Sequence, residues 1–295
     1  MWDQGIPGRA HQAEPVIIVL RDPTRFPNQK QYPLKREAQE GLQPLINKFL
    51  AYRLLVPTSL PCNTPILLVK KKEGTWQMVQ DLRIINEAVV PLHPSVPNSY
   101  VILGEIPPSA KWFSLGSQRC IFFCIPLAKE FQYLFTFEWE APEEKHQQMT
   151  WTVLPQRFRD SPHLFGQALS WDLLDLDLGP NGKILQHVDD LLICSSDEKS
   201  AQQHEIQVLN FLAERGYKVP RAKAQMVKTK VTYLGVQITH GSRRLSSDGV
   251  QGILQLPSPT TRKQSQAFLG LTGYCRIWIP NYGLIAQPLY ESLKG

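Results

Sequence analysis

No apolar run in this chain of 295 residues reaches the ~18 residues that crossing a bilayer requires. The start, Met1-Trp2-Asp3-Gln4-Gly5, has no basic n-region or apolar core, so it is not a signal peptide. The five cysteines, at 62, 120, 124, 194 and 275, form no CxxC pair and are odd in number. That excludes a zinc ribbon and argues for reduced thiols in an intracellular setting, cytoplasmic or nuclear. No internal repeat and no low-complexity segment occurs, so a solenoid is excluded. A soluble protein without a membrane partner is expected.

What is present suits a globular, multi-part chain. The length exceeds the usual span of one domain, so two or three subdomains are expected, and 42% hydrophobic residues suffice for real cores. The net charge of +6 suits a polyanionic partner, although many basic proteins bind none.

The most telling stretch is Leu185-Gln186-His187-Val188-Asp189-Asp190-Leu191-Leu192. Ile184 to His187 and Leu191 to Cys194 are short and β-prone, which predicts a hairpin with Val188-Asp189-Asp190 at the turn. An Asp-Asp turn taken alone is more often a solvated loop, since Asp is a preferred turn residue. Adjacent acids can also hold a cation, and hard oxygen ligands favour Mg²⁺.

Along the chain, residues 1 to about 33 carry five prolines around one β-like run, Val16 to Leu20, and read as an extended lead-in. From Leu34 to Phe49 the apolar spacing is helical, with a kink or restart expected at Pro44. Ile66 to Lys70 and Trp76 to Leu82 predict a hairpin with Lys71-Lys72-Glu73-Gly74-Thr75 at its tip. Pro91 to Pro108 reads as a proline-rich linker. Phe131 to Glu138 and Met149 to Leu154 predict a further hairpin around Glu143-Glu144-Lys145. Ser161-Pro162 has the form of a helix start, serine as N-cap, with the helix ending near Gly179-Pro180. Residues 198 to 216 predict a helix stopped by Gly216. Beyond it Lys218, Arg221, Lys223, Lys228 and Lys230 form the densest basic stretch.

Eight blocks, in order, carry a resemblance. They are Gln31-Tyr32-Pro33-Leu34-Lys35, Asn63-Thr64-Pro65-Ile66, Val79-Gln80-Asp81-Leu82-Arg83, Phe122-Phe123-Cys124-Ile125, Leu154-Pro155-Gln156, the Asp189-Asp190 hairpin, Tyr233-Leu234-Gly235 and Tyr274-Cys275-Arg276. Over about residues 14 to 294 the chain resembles the reverse transcriptases of gammaretrovirus-type Pol, most of all those of endogenous retroviruses. The resemblance implies an α+β right-hand polymerase fold of fingers, palm and thumb, with an antiparallel palm sheet. It divides the chain into a lead-in (1–33), fingers (34–110, with a contribution from 140–155 left open), palm core (111–197), palm-to-thumb junction (198–240), and thumb with the start of a connection region (241–295). Polymerases of this type continue into a connection domain and RNase H and follow a protease. Nothing in these residues corresponds to those parts, so hybrid cleavage is not expected of them.

The resemblance also implies a site. Asp189 and Asp190 are catalytic and metal-holding, in a family that uses two Mg²⁺; Lys71, Phe122 and Gln156 touch the incoming deoxynucleoside triphosphate; Lys218, Arg221 and Lys223 contact an RNA or DNA template with its primer. The family's strand pattern Leu-Asp-Leu-Lys-Asp-Ala-Phe-Phe aligns without a gap, so the first catalytic aspartate falls on Ser117 and a second on Cys120. The family's triphosphate-binding arginine falls on Gln77, its glycine after Pro-Gln on Arg157, and its tyrosine before Val188 on His187, which is read as structural. Three functions follow: an active RNA-directed DNA polymerase fragment, a polymerase-derived domain that binds primer-template with little or no catalysis, or a translated relic. The second is favoured. Whether Asp160 or Asp175 could replace the lost carboxylate is a question for the structure.

Overall fold

A computed structural model of the chain describes residues 8–70, 74, 76–92, 98–117, 121–141, 146–219 and 224–293, without the side chains of Ser117, Ile121 and Phe122. The central feature is a four-stranded antiparallel sheet in the order β7-β8-β4-β9, made of β4 (Trp112–Ser117), β7 (Gly182–His187), β8 (Asp190–Ser195) and β9 (Gln225–Lys228). Residues alternate between the faces of a strand, and in β8 both faces are apolar. Leu191 and Ile193 enter the larger core, whereas Leu192 and Cys194 enter the smaller one. A continuous apolar run of this kind is what a strand covered on both sides requires.

The larger core lies against α4 (Ser161–Leu173) and α5 (Glu198–Glu214), through Phe165, Leu169, Val208, Leu209 and Leu212. The smaller core joins Phe113, Leu115 and Leu185 to α3 (Ser99–Gly104) and to a three-stranded sheet, β10 (Lys230–Tyr233), β11 (Val236–Thr239) and β12 (Ser242–Leu245). α3 corrects the reading of Pro91 to Pro108 as a bare linker. Its N-cap is Asn98, whose side chain accepts from the Tyr100 N–H at 3.0 Å.

A second part of the fold is built on α1 (Arg36–Ala51), the hairpin β2 (Ile66–Lys70) and β3 (Trp76–Gln80), α2 (Arg83–Ala88), and a sheet ordered β1-β6-β5 from β1 (Leu55–Thr58), β5 (Phe137–Trp139) and β6 (Gln147–Trp151). α1 runs unbroken through Pro44 rather than restarting there. Gly41 lets it touch β3, since a Cβ there would run into the Trp76 ring. The hairpin expected of Phe131–Glu138 with Met149–Leu154 is present as β5 and β6, but its first strand starts only at Phe137, since residues 129–135 form a 3-10 helix that buries Leu134 and Phe135. The tip read at Glu143-Glu144-Lys145 lies outside the described residues.

α4 ends at Leu173, short of Gly179-Pro180, and its N-cap position is Asp160. Ser161 is instead the first helical residue, and its Oγ donates to the Pro155 carbonyl at 2.9 Å. The lead-in from residue 8 is a strap over the other parts. Its amides bond to the carbonyls of Cys124 (from Ala10), Pro126 (Val16), Ala88 (Arg21) and Asn63 (Gln29) at 2.8–3.0 Å. Beyond β12, α6 (Ser247–Leu254), α7 (Arg262–Tyr274) and α8 (Tyr282–Glu291) complete the chain. None of the described helices is long and apolar enough to cross a membrane.

Candidate active site

The acidic hairpin sits at the end of the central sheet. His187 pairs with Asp190 and Asp190 pairs with Ser117, so one register row crosses β7, β8 and β4. Asp190 is therefore the first residue of β8 and not part of the turn, which corrects the three-residue loop read from the sequence. The turn is Val188-Asp189. Two-residue hairpin turns need a positive φ, which Gly and Asn supply cheaply, and here Val188 takes it at φ +53°. A β-branched residue in that region costs on the order of 1–3 kcal/mol.

Two neighbours hold this turn. Gln186 lies on the face of β7 toward α4, and its Nε2 donates to the Gly166 carbonyl at 2.8 Å and to the Val188 carbonyl at 3.1 Å. A Cβ placed on Gly166 would lie 3.6 Å from Val188 Cα, an ordinary contact distance, so the helix and the turn are neighbours. Below the other face, Tyr233 is buried and its hydroxyl makes no hydrogen bond among the described residues. Burial pushes the Tyr233 hydroxyl pKa up, and the nearby Asp190 carboxylate pushes it further. From the sequence Gln186 and Tyr233 stand inside motifs without a role of their own, and Gly166 is not singled out. One signal existed, since Gln186 is a polar side chain on a strand face that otherwise carries Ile184.

Phe122 belongs to a 3-10 turn, Ile121–Cys124, and not to the strand. The Leu154 amide donates to the Ile125 carbonyl at 3.0 Å, which brings the segment carrying Gln156 beside it. Gln156 is half-buried. Arg157 is exposed at φ +70°, its carbonyl accepting from Asn86 Nδ2 at 3.1 Å. Lys218 adjoins Val219, whose Cγ1 lies 3.8 Å from a Cβ built on Gly116. Gln77 pairs with Val69 within the β2-β3 hairpin. Lys71, Cys120, Arg221 and Lys223 lie outside the described residues.

The donor set does not fit a pair of divalent ions. Such pairs need carboxylates that bridge and neutralise, and the hairpin offers Asp189 and Asp190 opposite a serine. Among the described residues no group of three or more His, Cys, Asp or Glu side chains could hold a metal ion. Neither substitute is placed there. Asp160 is buried against Arg159 at 3.3 Å, and Asp175 pairs with Arg215 at 2.6 Å.

Comparison with known proteins agrees with this architecture. Residues 69–238 match the family model described as "Reverse transcriptase (RNA-dependent DNA polymerase)". The chain is 45% identical over 293 residues to the Gag-Pol polyprotein of avian reticuloendotheliosis virus, covering 98% of the chain and 25% of that protein. It is 43% identical to Gag-Pol of gibbon ape leukemia virus (97% of the chain, 17% of that protein) and 41% identical to the Pol polyprotein of feline endogenous virus ECE1 (97% and 28%). It thus spans 28% or less of the length of these three relatives. The foamy viral protease-reverse transcriptase dRH in complex with ds DNA superposes with a TM-score of 0.84 at 29% identity, over 99% of this chain and 50% of that one. The foamy viral enzyme in complex with RNA/DNA hybrid gives 0.78 at 29%, over 99% and 38%. The fold is the right-hand polymerase fold of retroviral reverse transcriptases.

Proposed function

Because the chain belongs to the reverse transcriptase (RNA-dependent DNA polymerase) family, we propose that it is a polymerase-derived domain that binds primer-template and carries out little or no nucleotidyl transfer. One observation carries this reading. Ser117 stands in register with Asp190, at the place where the family's first catalytic aspartate falls.

Nucleotidyl transfer of this kind relies on two ions, one lowering the pKa of the attacking hydroxyl and one neutralising the phosphates. A neutral serine hydroxyl supplies neither the charge nor the bridging oxygens. Loss of a residue that merely supports a metal ligand costs about 10- to 100-fold, and loss of a ligand costs more. Gln77 adds to the deficit, since an amide lacks the fixed charge and donor fork of an arginine facing a triphosphate. Arg157 puts a long side chain where the resemblance places a glycine.

Nucleic-acid binding is the capacity that remains. The foamy viral relatives are described in complex with ds DNA and with RNA/DNA hybrid, and this chain keeps a net charge of +6. Lys218, Lys228 and Lys230 lie beside or on strands adjoining the hairpin's sheet, where they would hold phosphates without reading sequence. Two contiguous buried cores support a chain that folds cooperatively, against the reading of an unfolded relic.

The test is primer extension on an RNA template with Mg²⁺ or Mn²⁺, comparing the chain with its Ser117→Asp variant. We expect silence from the parent and extension by the variant. Extension by the unaltered chain would sink the proposal and select the active-polymerase reading.

A further inference from the structure

We propose that Gln186 is a positioning residue, which brackets the Val188-Asp189 turn to α4 and so sets where the Asp189 and Asp190 carboxylates stand. The inference rests on the reading that these two acids are what remains of a catalytic site, and it names the side chain that keeps them in place.

The geometry is specific to an amide. One nitrogen, Nε2, donates to two carbonyl oxygens, Gly166 on the helix at 2.8 Å and Val188 on the turn at 3.1 Å. Both amide hydrogens are therefore used, and they join the turn to a helix residue 20 positions before Gln186 in sequence. The carbonyl held on the turn side belongs to the strained residue, Val188 at φ +53°, whose conformation decides the direction in which Asp189 leaves the strand. Strain of this kind persists only where the surroundings over-determine it. Gly166 supplies the close approach, with no side chain between helix and turn and a Cβ position 3.6 Å from both Val188 Cα and its carbonyl oxygen.

Chemistry separates a bracket from a space-filler. Glutamate is nearly isosteric with glutamine, but when ionised it only accepts hydrogen bonds. Gln186→Glu would turn a carboxylate toward two carbonyl oxygens. Gln186→Leu would keep the bulk and leave both carbonyls without this donor. Gln186 is half-buried, so neither change opens a large cavity.

The experiment measures native-state amide hydrogen exchange of the full chain, site by site, in the parent, Gln186→Leu and Gln186→Glu, with melting followed in parallel. We expect the Asp189 and Asp190 amides to exchange about tenfold faster or more, with amides inside α5 and from Leu191 onward in β8 unchanged, because opening is local. In the Ser117→Asp background, electron paramagnetic resonance of Mn²⁺ should show binding weakened by about tenfold when Gln186→Glu is added, as for other residues that orient metal ligands. Turn amides exchanging at the parent rate in both variants would overturn the proposal. So would faster exchange throughout α4, α5 and β8, or loss of folding in both variants, since either makes Gln186 a structural residue only. If Ser117→Asp binds no Mn²⁺, the assignment of the ancestral metal site fails, and the exchange data still decide the role of Gln186.

Discussion

Val188 and Arg157 both sit at positive φ without being glycine, and each is a place where backbone and side chain disagree. For Arg157 the left-handed conformation costs about 1–2 kcal/mol, whereas a glycine would add about 0.4–1 kcal/mol of unfolded-state entropy to lose. Arg157→Gly should therefore leave stability unchanged or raise it by up to roughly 1 kcal/mol, read as a shift in the urea midpoint. A clear loss would mean that the arginine side chain makes contacts worth more than the strain. The chain itself shows that both positions lie in turns, but not which residue of the Asp-Asp turn takes the positive φ, because neither Gly nor Asn marks it. Asp190 joins β8 through pairs with His187 in β7 and Ser117 in β4, and the second, more than 70 residues away in sequence, is encoded by no local pattern. Cys62, Cys124, Cys194 and Cys275, the cysteines among the described residues, are free and buried. Burial pushes Cys124 and Cys194 up to about 12 and Cys62 to about 11, so at pH 8 these three should resist alkylation until the protein unfolds. Rapid labelling of any of them in the native state would contradict the placement of the two cores.

The elements that were legible are those whose caps and apolar periodicity agree. α5 begins at Asp197, whose Oδ1 accepts from the Ser200 N–H at 2.9 Å and whose Oδ2 accepts from its hydroxyl at 2.7 Å. These bonds, the backbone one first, hold its carboxyl below the ordinary 3.8. A depressed carboxylate contributes stability above its unfolded pKa and loses it as the pH falls through the lower, folded value. The difference in melting temperature between the parent and Asp197→Ala should be full at neutral pH and shrink below about pH 3.8; a difference that grows toward acid would refute the cap. Where propensity and packing part, the reading slipped. Residues 129–135 are apolar enough for a strand, but they turn as a 3-10 helix that buries Leu134 and Phe135. In β7, Gly182 is fixed by its neighbour on α5, since a Cβ there would lie 2.6 Å from His204 Cε1 and 2.7 Å from Leu178 Cβ. His204 is itself held by Ser195 at 2.9 Å and cannot easily withdraw. Gly182→Ala should therefore cost about 1–3 kcal/mol, as overpacking does, measured by denaturant unfolding; an unchanged midpoint would show that the ring has room to move.

At the scale of the molecule, fold and site separate in how they were written. The eight ordered motifs carry the right-hand fold, and they are present although Ser117 and Cys120 stand where the resemblance places two aspartates. The strap of residues 8–33 was less visible, because only a few of its side chains, among them Ala10, Ile18 and Gln31, anchor it, while much of its docking is by backbone bonds to distant carbonyls. What the whole molecule still offers a duplex is charge. Phosphate contacts release counterions, so the logarithm of affinity falls with the logarithm of salt at a slope of about −0.9 per contact. If Lys218, Lys228, Lys230, Arg243 and Arg244 supply roughly three to five contacts, the slope should lie near −3 to −4.5, and affinity for an RNA/DNA hybrid should drop about 10² -fold between 50 and 200 mM salt. Fluorescence anisotropy with a short labelled hybrid would measure it. Lys218→Ala should reduce the slope by about 1 without changing preference among sequences, as expected for a phosphate contact. A flat salt dependence would remove nucleic acid as the partner. A steep slope that Lys218→Ala leaves unchanged would keep the partner and move the contact surface away from the sheet that carries the acidic hairpin.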